Sequence, residues 1–133
     1  MIRGVAHIGI GVRSLEEALH FYRDVLGLEL HKTEVVGGGS LGAALLRLGD
    51  TEIELLESLA PDTGLARFLE RRGEGLHHIA LATDDAVAEM AGVRERGVEP
   101  IEEAPVRGLS GWVFFLPPKT YRGALVEIEE PVE

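Results

Sequence analysis

Two hydrophobic periods alternate along this chain. Val5–Val12 runs at period two, with Ala6, Ile8, Ile10 and Val12 on one side and His7, Gly9 and Gly11 on the other. The apolar side is expected to pack on a helix, and the side with His7 to line an open space. A helical period follows. Ser14 and Glu17 form a capping box, Leu15, Ala18, Leu19, Tyr22, Val25 and Leu26 form the apolar stripe, and Gly27 fits the stop. Leu28–Val36, Leu41–Leu48 and Thr51–Glu57 read as strands, with turns at Gly37–Gly42 and Gly49-Asp50. The glycine run matches G-x-G-x-x-G, but no long amphipathic helix follows it, so a hairpin turn is expected there and a dinucleotide site is not.

Pro61, Asp62 and Thr63 then start a short helix with Leu65, Phe68 and Leu69 on one face, and Gly73 and Gly75 end it. From there the design repeats. Leu76–Thr83 is a strand with His78, Ala80 and Ala82 on one face. A helix begins at Asp84 or Asp85 and stops at Gly97, and Val98–Glu102, Gly111–Leu116 and Ala124–Glu129 are expected strands. With an offset of 71 residues His7 falls on His78 and Ser14 on Asp85. The strands TEIELLE and ALVEIEE place Glu54 against Glu127, so His and Glu are 47 residues apart in the first copy and 49 in the second. The order βαβββ occurs twice. The expected organisation is one domain over 1–133, with a first module about 1–58, a helical connector about 59–74 and a second module about 75–133.

Composition narrows the function. A chain of 133 residues with 45% hydrophobic content suits one folded domain. No apolar run reaches about 18 residues, so no transmembrane helix is expected, and no signal peptide is evident. The absence of cysteine removes thiol catalysis and thiolate metal sites, and a cytoplasmic setting is the simplest expectation. A net charge of −10 argues against nucleic acid and membrane surfaces as partners.

The paired residues carry the chemistry. Glu54 lies between Ile53 and Leu55, and Glu127 between Val126 and Ile128. The branched neighbours are expected to face a helix and each carboxylate the opposite side, which is the side assigned to the histidines. If these faces meet, His7, Glu54, His78 and Glu127 converge. Two imidazoles and two carboxylates suit one divalent ion, Co²⁺, Mn²⁺, Ni²⁺ or Zn²⁺, with positions left for substrate. Taken singly, a buried His is usually a hydrogen-bonded core residue and a strand Glu usually a solvated one. The repeated spacing is what lifts the set above that reading. His77 is expected to be structural, His20 and His31 incidental, Glu52 and Glu129 rim charges, and Trp112, Phe114 and Phe115 core or interface. Arg107, Lys119 and Arg122 are the candidates for holding an anionic substrate group.

At these residues the sequence resembles the vicinal oxygen chelate superfamily over nearly the whole chain. Three stretches resemble its methylmalonyl-CoA epimerase family: HIGIGVRSLEEALHFYRDVLGLE, IELLESLAPDTGLARFLERRGEGLHHIALATDD and PPKTYRGALVEI. The resemblance implies an α+β fold in which two paired βαβββ modules form a curved mixed sheet around a metal-binding cleft. It places the family's metal ligands on His7, Glu54, His78 and Glu127. It implies a homodimer and an acyl-CoA substrate whose α-proton is removed through a metal-stabilised enolate, interconverting the (R) and (S) epimers, with Glu54 and Glu127 also carrying protons. Glu52 or Glu129 would replace one of them were that one a ligand alone. Some members carry a non-ligand Glu in the third strand; Leu41–Leu48 has no acid. A lactoylglutathione lyase (glyoxalase I)-type isomerase and a non-catalytic binding protein of the same fold are the alternatives.

Overall fold

The computed structural model describes residues 1–118 and 123–132. Its strands and helices are β1 (Ile2–Val12), α1 (Leu15–Leu19, continued by a π-helical turn over His20–Val25), β2 (Glu29–Val36), β3 (Leu41–Leu48), β4 (Thr51–Ser58), α2 (Gly64–Arg72), β5 (Gly75–Thr83), α3 (Ala86–Glu95), β6 (Val106–Arg107), β7 (Gly111–Leu116) and β8 (Val126–Pro131). Two compact units divide the chain, one of residues 7–77 and one of residues 1–6 with 78–133. Each carries the βαβββ order that the hydrophobic pattern predicts.

In the unit of residues 7–77, β1 runs parallel to β4, β4 antiparallel to β3, and β3 antiparallel to β2. Ile8 and Ile10 pack with Leu15, Ala18, Leu19 and Tyr22 of the helix and with Ala44, Leu46, Ile53 and Leu55 of the sheet. The period-two reading of β1 holds, and so does the helical stripe through Tyr22. Beyond it the stripe fails. Val25 and Leu26 are exposed because the helix widens to a π turn, in which the Leu26 N–H donates to the Phe21 carbonyl at 2.9 Å. The wider turn slips the phase of the residues after it. Gly27 still ends the helix at φ 79.

In the other unit β5 runs parallel to β8, β8 antiparallel to β7, and β7 antiparallel to β6. Met90 of α3 packs on Phe114, Leu116 and Ile128, with Leu81, Val93 and Val98 around them. The predicted strand at Val98–Glu102 is absent; the second strand of this module is β6, further along. Pro100 offers no N–H to a ladder. The segment instead uses isolated bonds to β7: the Ile101 N–H donates to the Phe115 carbonyl at 2.9 Å, and the Glu102 carboxylate accepts the Phe115 N–H at 2.8 Å. β8 starts two residues later than expected.

The two helix starts are built alike. Ser14 caps α1 by accepting the Glu17 N–H at 3.1 Å, and Asp85 caps α3 by accepting the Ala88 N–H at 3.0 Å. A strand carboxylate takes the first helical N–H in each: Glu57 from Leu15 and Glu130 from Ala86, both at 2.8 Å. These acids lie at the positive end of the helix, where a negative charge is favoured.

Candidate metal centre and its relatives

In each unit one imidazole meets one carboxylate. Gly9 of β1 is the strand partner of Glu54, and His7 sits two residues before it on the same face. Ala80 of β5 is the partner of Glu127, with His78 two residues before it. The small residue opposite each glutamate leaves room for its side chain to lean toward the histidine. His7 Nε2 lies 3.5 Å from Glu54 Oε1, and His78 Nε2 lies 3.0 Å from Glu127 Oε1. All four residues are buried. On the other flank of each glutamate stands an apolar residue, Leu45 opposite Glu54 and Phe115 opposite Glu127. The Phe115 ring also meets the His78 imidazole edge to face, with centroids 6.1 Å apart.

Removing a carboxylate from water costs several kcal/mol, about the scale that pairing must return. Neutral imidazole nitrogen and carboxylate oxygen are donors that borderline divalent ions prefer. The donor set in each unit therefore suits such an ion.

The neighbouring face of residues 7–77 is less open than the glycines suggest. A Cβ on Gly11 would lie 3.0 Å from Leu65 and 3.3 Å from Phe68, so α2 fills the space there. His77 packs its ring against Phe68 at 4.9 Å, in keeping with a structural role. His31 Nδ1 lies 2.6 Å from Glu52 Oε2, an exposed pair at the surface. Glu129 is not a rim charge, being 2% exposed on the Glu127 face of β8. Trp112 is 43% exposed, so it is not core. Phe114 is core, whereas Phe115 faces His78. Arg107 is exposed in β6, two strands removed from Glu127 in the order β8-β7-β6. Lys119 and Arg122 lie outside the described residues. On the surface of α1, Asp24 is held below the usual carboxylate range, first by its hydrogen bond with Arg23.

The chain and its fold have known relatives. Residues 6–115 match the Glyoxalase/Bleomycin resistance protein/Dioxygenase superfamily. This chain belongs to that superfamily. It is 34% identical over 133 residues to the ethylmalonyl-CoA/methylmalonyl-CoA epimerase of Cereibacter sphaeroides, covering 98% of this chain and 99% of that one. It is 36% identical over 126 residues to the uncharacterized protein YqjC of Bacillus subtilis, covering 94% and 90%. A Streptomyces coelicolor methylmalonyl-CoA epimerase variant in complex with 2-nitronate-propionyl-CoA superposes with a TM-score of 0.94 at 33% identity, covering 99% of this chain and 96% of that one.

Glu57 and Glu130, which hold the two helix starts, are positions that sequence reasoning passed over. Each follows its paired glutamate by three residues, and that repeated spacing was the available signal. Nothing comparable marks Phe115, whose role depends on which strand lies beside β8.

Proposed function

We propose that this chain is a metal-dependent epimerase of methylmalonyl-CoA or a closely related acyl-CoA. His7 and Glu54 together with His78 and Glu127 would hold one divalent ion: Co²⁺, Mn²⁺, Ni²⁺ or Zn²⁺. The observation that carries the reading is the repeated pair, a buried imidazole nitrogen within 3.5 Å of a carboxylate oxygen in one unit and 3.0 Å in the other. Relatives that span the chain and are named for this activity support it.

The substrate carbon lies between a thioester and a carboxylate, so its proton is weakly acidic. A divalent ion supplies positive charge that stabilises the enolate as that proton leaves. The chain's own residues do the rest. The two histidines and two glutamates fix the donor geometry, Leu45 and Phe115 keep water from the carboxylates, and Glu127 takes the proton on one face. Glu54 is the sequence's candidate for the opposite face. Arg107, Lys119 and Arg122 are proposed to hold the anionic parts of the coenzyme. A cytoplasmic homodimer completes the reading.

The test is α-proton exchange. Metal-loaded protein is mixed with each epimer of methylmalonyl-CoA in heavy water, and deuterium uptake and inversion are followed by mass spectrometry and chiral analysis. Exchange with inversion is expected. No exchange by fully loaded protein would sink the epimerase reading.

A further inference from the structure

In the unit of residues 7–77, β1 presents one face through His7, Gly9 and Gly11. Gly9 is the strand partner of Glu54, so two of the proposed ligands lie on this face. Helix α2 borders it at Gly11. A Cβ there would meet Leu65 at 3.0 Å and the Phe68 ring at 3.3 Å. Two residues of strand, about 6.6 Å, separate Gly11 from Gly9. A substrate that extends from the ion along β1 in that direction meets α2.

α2 is rich in cations, although the chain as a whole carries a net charge of −10. It holds Arg67, Arg71 and Arg72 against Glu70, and Glu74 follows, accepting the Arg13 N–H at 2.8 Å. Elsewhere in the unit Arg23 and Arg47 each sit against an acid. Arg13, Arg67, Arg71 and Arg72 make no ion pair among the described residues. Two of the four serve the ends of the helix. Arg67 Nη1 donates to the Asp62 carbonyl at 3.2 Å, and Arg13 Nη2 donates to the Leu69 carbonyl at 3.3 Å. A cation at the negative end of a helix is favoured, which accounts for Arg13. Arg72 does something else. Its guanidinium lies over the Phe68 ring, with Cζ 5.9 Å from the centroid. Phe68 is itself held against Gly11 and the His77 ring, whose centroid is 4.9 Å away. The aromatic seat orders a long side chain in advance. Among the described residues no hydrogen bond uses the donors of its fork.

Resting on the acyl-CoA substrate of the epimerase reading, we propose that Arg72, seated on Phe68, binds a phosphate of the coenzyme. An acyl-CoA carries its reacting carbon at one end of the pantetheine arm and its phosphates at the other. The anion site is therefore wanted away from the ion, on an element that borders the ligand face. Forked N–H donors suit phosphate oxygens and make charge-assisted hydrogen bonds to them. Arg72 takes no part in proton transfer; its role is to recognise the coenzyme.

The experiment compares methylmalonyl-CoA with methylmalonyl-pantetheine, which keeps the thioester and the carboxylate and lacks every phosphate. The readout is the ratio of kcat/KM on the two, for the metal-loaded unaltered protein, Arg72→Gln and Arg72→Lys. The unaltered protein is expected to favour the CoA thioester. Arg72→Gln should lower that preference about tenfold, through KM for the CoA thioester. Arg72→Lys should lower it less, since lysine keeps the charge and loses the fork. An unaltered preference in Arg72→Gln overturns the proposal, and a lowered unfolding midpoint beside it would assign Arg72 to the fold alone. Turnover of neither thioester by the unaltered protein overturns the epimerase reading, and calorimetry with coenzyme A then decides this proposal separately. Affinity about tenfold weaker in Arg72→Gln supports it. Equal affinity, or no binding by the unaltered protein, overturns it.

Discussion

A glutamate held 3.0 Å from an imidazole nitrogen and shielded from water is a poor place for a truncation. Glu127→Ala removes one proposed ligand and one proposed proton carrier at once. The expected outcome is loss of bound metal by atomic emission and a fall of about 10³-fold in α-proton exchange. Gly11 makes a packing argument instead. A side chain there would press on Leu65 and Phe68 of α2, with the first contact already at 3.0 Å for a single carbon. Gly11→Val is expected to cost about 1–3 kcal/mol through overpacking. In urea its unfolding midpoint should fall with the slope unchanged. An unchanged midpoint would mean that α2 yields freely.

The helices start where they do because three groups act together: an N-cap side chain, the first helical N–H, and an acid from the closing strand of the same module. Glu57→Ala and Glu130→Ala each leave that N–H without its carboxylate. Each is expected to lower unfolding free energy by about 1 kcal/mol, read from denaturant titration. Equal losses in the two variants would support the view that these contacts are copies of one device. The element scale also shows what the sequence makes legible. Period-two alternation and glycine stops place β1, β3, β4, β5 and β7 closely, because those signals are local. The π turn after Leu19 is not legible, since the apolar residues continue at helical spacing through Leu26. Nor is β6, which depends on a register with β7 rather than on its own two residues. The two candidate His–Glu pairs were readable because duplication wrote nearly the same spacing twice, 47 and 49 residues. Glu129 was misjudged because alternation gives the face of a residue but not how deeply that face is covered.

The duplication reaches across the whole chain and leads to a test of whether the two His–Glu pairs serve one ion. A ligand that binds only the folded state stabilises it by RT ln(1 + [L]/Kd), about 4 kcal/mol at a thousandfold excess over Kd. Co²⁺ added to metal-stripped protein is therefore expected to raise the thermal midpoint by several degrees. If one ion uses all four residues, Glu54→Ala and Glu127→Ala should each abolish nearly the whole shift, although the residues come from different modules. If each module bound its own ion through one histidine and one glutamate, either variant would leave about half of the shift. Calorimetric stoichiometry separates the cases independently, at one ion per chain against two. The single-ion outcome is the one the proposed function expects, on the ground of donor number. Two protein donors are a weak hold on a divalent ion, whereas four make a site that still leaves positions for a substrate. On that account each copy of the module supplies half of a coordination shell.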